Sequence, residues 1–137
     1  DLYRSSGWIA QDVPPFKLDD LSRMVSQREE LVRIWEQFFT QWDVFLCPVG
    51  MHTAGLHTDT EPVIDGKVYL SEEVSPSTES ISPLTGLPSI TIPVGLDTQG
   101  LPIGIQLIGR RWEDERLLAI AKIVSQIAGD FRKPTGY

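Results

Sequence analysis

The sequence predicts an α/β chain, and three observations carry that prediction. Apolar residues recur at three- and four-residue steps from Leu21 to Phe39, and do so again from Leu117 to Ala128. Between Ser89 and Ile108 they instead alternate with small or polar residues, the two-residue period of a strand. With 137 residues, 41% of them hydrophobic, the chain suits a single domain or a fragment of one.

Residues 1–17 hold Gly7, Pro14 and Pro15 without a sustained period and read as an irregular lead-in. A helix begins near Asp19, with Asp19 or Asp20 expected to cap its first turn. Its apolar face holds Leu21, Met24, Val25, Leu31, Val32, Trp35, Phe38 and Phe39, with Arg28 in the same series. Arg23, Gln27, Glu30, Arg33 and Gln37 form the opposite face. The run from Trp42 to Pro48 is too short for another helix and ends in proline, so it is expected to be a buried strand. Residues 49–80 show no strong period, which points to a functional loop or to a fold partly encoded elsewhere.

Ile90, Ile92 and Val94 form one alternating strand, and Ile103, Ile105 and Leu107 form a second after a turn bounded by Gly95 and Gly100. Gly104 and Gly109 leave room for close approach of a neighbouring group. Glu113, Asp114 and Glu115 then suit a helix N-terminus, and the second amphipathic helix ends near Gly129.

Charge and cysteine content exclude several classes of function. The chain carries 12 basic and 19 acidic residues, a net charge of −7. Between Ile34 and Gly109 the only base is Lys67, against nine acids. Nucleic-acid binding needs a basic stripe to displace phosphate counterions, and none is present. Cys47 is the single cysteine, so an internal disulfide and a cysteine-based zinc cluster are ruled out. No apolar run reaches the roughly 20 residues of a membrane span, and no signal peptide opens the chain. The expectation is a soluble cytoplasmic protein that does not enter a membrane.

The residues alone display no catalytic constellation. His52, His57 and Asp59 could supply metal-ligand chemistry, but the histidine spacing and the flanking Gly50 and Gly55 read as a polar loop, with no metal expected. Ser5 and Ser6 precede Gly7 without a visible base or oxyanion turn. Cys47 lies between Leu46 and Pro48 with no basic neighbour, which favours packing over reactivity. The glycines fit neither common phosphate-loop spacing, and no cofactor is expected.

One stretch is more particular. Leu84-Thr85-Gly86-Leu87-Pro88-Ser89-Ile90-Thr91-Ile92-Pro93-Val94-Gly95 is followed by Gly100-Leu101-Pro102-Ile103-Gly104-Ile105-Gln106-Leu107-Ile108-Gly109-Arg110 and an acidic helix start. This block closely resembles the C-terminal part of amidase signature enzymes. The helix leading into Asp43-Val44-Phe45-Leu46-Cys47-Pro48 is similar to that family as well, so the resemblance spans roughly residues 20–128.

The resemblance implies part of a mixed sheet flanked by helices. It also implies an amidase, a hydrolase that acts on carboxylic amides by acylating a serine, with a lysine base and a bridging serine. That triad belongs to an N-terminal Gly/Ser-rich segment with no match here, and neither Lys17 nor Ser5 and Ser6 stands in a corresponding context. No catalytic residue is carried over, and the chain alone is expected to be inactive. By position, Pro76, Glu79, Ser80, Ser82 and Pro83 would line the substrate pocket, with Pro83 standing where an asparagine is common. Trp112 matches an aromatic that borders the pocket in some relatives, although a tryptophan there can equally pack the last helix onto the sheet.

The expected partners are a small amide substrate in the complete enzyme and either the missing N-terminal segment or a self-associated copy. A stand-alone binding or scaffolding module, and the amidase component of a tRNA-dependent amidotransferase, are the alternative functions.

Overall fold

The computed structural model describes residues 17–51, 53, 61–69 and 77–129. Helix α1 (Leu18–Phe38) follows the predicted period. Lys17, not an aspartate, occupies its N-cap, and no side chain bonds the free N–H groups. Asp19 and Asp20 sit inside the first turn, where they favour the positive end of the helix dipole, and Asp20 pairs with Arg23 at 2.9 Å. The expected aspartate cap is therefore corrected: the helix starts before both residues.

The apolar stripe of α1 changes character along its length. Val32 near its end and Phe39 just beyond it are buried, whereas Leu21, Met24 and Val25 on the same stripe are exposed. Trp35 meets Phe45 edge-on at 5.1 Å and Phe38 at 5.4 Å, so an aromatic cluster closes the C-terminal end of the helix onto the sheet. Backbone N–H groups of Gln41 and Trp42 both donate to Phe38 O and turn the chain.

Strand β1 (Phe45–Pro48) is shorter than the expected run from Trp42, and only one of its faces is covered. Cys47 points into the core while Leu46 is exposed, because the strand lies at a sheet edge rather than between two layers. The segment expected to lack regular structure contains a small hairpin, β2 (Val63–Ile64) with β3 (Lys67–Val68). Asp65 and Gly66 both adopt positive φ, 50° and 76°, as a two-residue type I′ turn requires. A 3₁₀ turn at Ser77–Ser80 leads into the short helix α2 (Ile81–Thr85).

Strands β4 (Ser89–Leu96) and β5 (Pro102–Ile108) pair antiparallel as the alternation predicts, with Ile92 opposite Ile105. The register slips between Pro93 and Gly95, where proline has no N–H to donate to the ladder. The sheet order is β1-β5-β4, and all its pairings are antiparallel. Successive residues of β5 therefore feed opposite cores. Ile108 joins Phe39, Cys47 and Leu87, and Leu107 joins Ile92, Leu117 and Ala121. Helix α3 (Asp114–Ala128) supplies Leu117 and Ala121 to the second core. Close approach at the two glycines is real. A Cβ on Gly104 would lie 3.1 Å from Thr91 Cγ2, and one on Gly109 would lie 3.1 Å from Leu117 Cβ.

The β4–β5 turn is organised by Asp97. Its Oδ1 accepts from the N–H groups of Gln99 and Leu101, both at 2.8 Å, and its Oδ2 accepts from Thr53 Oγ1 at 2.7 Å. The Thr53 hydroxyl and then the Leu101 amide favour the ionised form and hold this carboxyl below the usual aspartate range. The stabilisation is thus complete above the ordinary value near about 3.9 and disappears as pH falls through the lower folded value. Asp97→Asn is expected to flatten the acid limb of a stability-against-pH curve below about pH 4, leaving the neutral region parallel to wild type. An unchanged acid limb in the variant contradicts this role.

Candidate functional site

The predicted pocket residues fall on one segment, running from the 3₁₀ turn through α2. Pro76 lies outside the described residues. Glu79, Ser80 and Pro83 are exposed, and Ser82 is half-buried. Ser82 Oγ donates to Leu87 O at 2.6 Å and accepts from Ser89 Oγ at 3.2 Å, so its hydroxyl fastens α2 to the start of β4. The bend between them is completed by Gly86, whose φ of 72° suits a residue without Cβ and whose N–H donates to Ser82 O at 2.8 Å. Thr85, fully buried, donates its hydroxyl to Ile81 O.

Trp112 does not pack α3 onto the sheet. It is 85% exposed with φ of 65°, and Leu117 and Ala121 do the packing instead. The packing alternative is corrected, for a specific reason: a left-handed residue just before α3 directs the chain into the helix while the indole remains in solvent. A bulky side chain in that conformation costs on the order of 1–3 kcal/mol. The Arg111 guanidinium lies over the indole, 5.4 Å from its ring centroid.

Sequence reasoning missed one convergence. Arg28 of α1 and Arg111 of the β5–α3 turn both approach Gly86, which joins the pocket segment to the Trp112 turn. The signal was Arg28 itself, a cation in an apolar helical series.

Other candidate chemistry is distributed elsewhere. Ser5, Ser6, His52, His57 and Asp59 lie outside the described residues. Lys17 is exposed ahead of α1. Among the described residues no hydrogen bond joins a serine hydroxyl to a lysine, and no cluster of three His, Cys, Asp or Glu side chains could hold a metal. Cys47 is buried with Sγ 3.5 Å from Gln106 Oε1. Burial pushes its thiol pKa up, and the Thr78 hydroxyl beside it opposes that shift without reversing it, so the thiol is a packing group. No helix among the described residues is long and apolar enough to cross a membrane.

Comparison with known proteins agrees on one family. The family described as Amidase matches residues 17–118. The A chain of the glutamyl-tRNA(Gln) amidotransferase of Ruegeria pomeroyi is 41% identical over 96 residues, covering 68% of this chain and 18% of that protein. Its counterpart from a strain of Cereibacter sphaeroides is 37% identical over 111 residues, covering 78% of this chain and 21% of its own length. The chain therefore spans about a fifth of these relatives. Among solved structures, a crystal structure of an amidase superposes with a TM-score of 0.71 at 23% identity, covering 83% of this chain and 26% of that one. A 6-aminohexanoate cyclic dimer hydrolase gives 0.66 at 19% identity, over 87% and 26% respectively, and both show the shared fold.

Proposed function

Because the chain belongs to the amidase family, we propose that it forms the C-terminal part of a cytoplasmic amidase that cleaves carboxylic amides through an acyl-serine. In that reaction a serine oxygen attacks the amide carbonyl, the amine leaves with a proton, and water then releases the carboxylate. The serine and its lysine base would come from polypeptide outside residues 1–137. This chain would supply one wall of the pocket through Pro76, Glu79, Ser80, Ser82, Pro83 and Trp112.

The observation that carries this reading is the half-covered stripe of α1, with Leu21, Met24 and Val25 exposed and Val32 buried. A three-stranded sheet covers only one end of a 21-residue helix, which leaves the rest ready for further structure. The chain alone is expected neither to hydrolyse amides nor to react with a fluorophosphonate. Co-expression with the N-terminal part of a family member should restore both. Labelling or turnover by the chain alone, or no activity in the reconstituted pair, contradicts the proposal.

Similarity to the two amidotransferase proteins favours a second reading, in which the released ammonia passes to a partner protein. Stable co-purification of the reconstituted pair with the other components of such an amidotransferase, together with glutaminase activity, would select it.

A further inference from the structure

Arg28 and Arg111 come from different elements, yet their guanidiniums meet at one point. A Cβ built on Gly86 would lie 3.8 Å from Arg28 Nη2, 3.8 Å from Arg111 Nη2 and 3.9 Å from Arg111 Nε. The two terminal nitrogens are thus separated by no more than twice that distance. Like charges this close repel unless a counter-charge lies between them. Arg28 pairs with its sequence neighbour Glu29 at 2.8 Å on the exposed helix surface. Arg111 makes no ion pair among the described residues, and its flat face is turned to the Trp112 ring. Gly86 itself is exposed and left-handed, so the space between the cations opens to solvent without a side chain to fill it.

We infer that Arg28 and Arg111 form a binding site for a single oxyanion, a carboxylate or a phosphate, held between the two guanidiniums over Gly86. Guanidinium forks match the geometry of both anions, and charge-assisted hydrogen bonds of roughly 2.8 Å from either side suit a gap of this size. The exposed Trp112 ring provides an apolar flank, which favours an anion attached to an aromatic body. This inference goes beyond the amidase reading and needs no turnover by the chain.

The test uses the whole chain labelled with 5-fluorotryptophan, with the Trp112 fluorine resonance assigned by its loss in Trp112→Phe. Benzoate, inorganic phosphate and sodium chloride are titrated separately at matched ionic strength. A saturable shift at Trp112 with benzoate or phosphate is expected, and whichever anion saturates identifies the source. Arg28→Gln should weaken binding at least about tenfold, as loss of one charged hydrogen bond predicts. Arg28→Lys, which keeps the charge and protects the fold, should weaken it several-fold. Shifts that match sodium chloride, or affinities unchanged in both Arg28 variants, overturn the inference.

Discussion

Replacing Leu107 by alanine is expected to lower the unfolding free energy by about 2–5 kcal/mol, the range for a buried leucine that leaves a cavity. Leu107 is wholly inaccessible on the central strand β5 and packs with Ile92, Leu117 and Ala121. One strand thus ties the sheet to α3 through a single side chain that has no route to solvent. Leu46→Ala on edge strand β1 is the control, because its side chain is already half-exposed and should cost less than about 1 kcal/mol. Urea unfolding measures both. Equal midpoints for the two variants would show that the β5–α3 core does not govern stability.

The second large effect concerns association rather than unfolding. Leu21, Met24 and Val25 form a contiguous exposed apolar strip, and edge strands β1 and β4 each leave one side unpaired among the described residues. Such surfaces self-associate when the isolated chain has nothing else to cover them. Leu21→Lys with Met24→Glu leaves the net charge unchanged and places opposite charges three residues apart on the helix. Each apolar side chain removed from a buried contact is worth about 1.5–3 kcal/mol, so the double variant should weaken association by several powers of ten. Sedimentation velocity over a concentration series reads this directly. The same dissociation constant for both proteins would show that α1 is not the contact surface.

Much of the fold is legible in the sequence because its periods are long and consistent. The alternation of Ile90, Ile92 and Val94 against Ile103, Ile105 and Leu107 becomes the β4–β5 pair, and the stripe from Leu117 to Ala128 becomes α3. The hairpin at Asp65-Gly66 is harder to see, because two-residue strands carry no period and only the turn residues mark it. Trp112 resists prediction for a related reason. Hydrophobicity argues for burial, whereas a single left-handed residue places the indole in solvent. Helix caps mislead by a residue or two, since Asp19 and Asp20 favour a helix start whether they cap it or lie within its first turn.

The candidate site is legible only in outline. The Ser82–Pro83 segment stands out beside the Thr85-Gly86-Leu87-Pro88 block, but the meeting of Arg28 with Arg111 joins residues 83 positions apart and has no local signature. Only packing of α1 against α2 brings them together.

The mass of the purified chain in solution, measured by light scattering across micromolar concentrations, bears most directly on whether these elements await completion by further polypeptide. A dimer or larger species is predicted, dissociating when the N-terminal part of a family member is supplied. A monomer that stays monodisperse and takes up no such partner would contradict it.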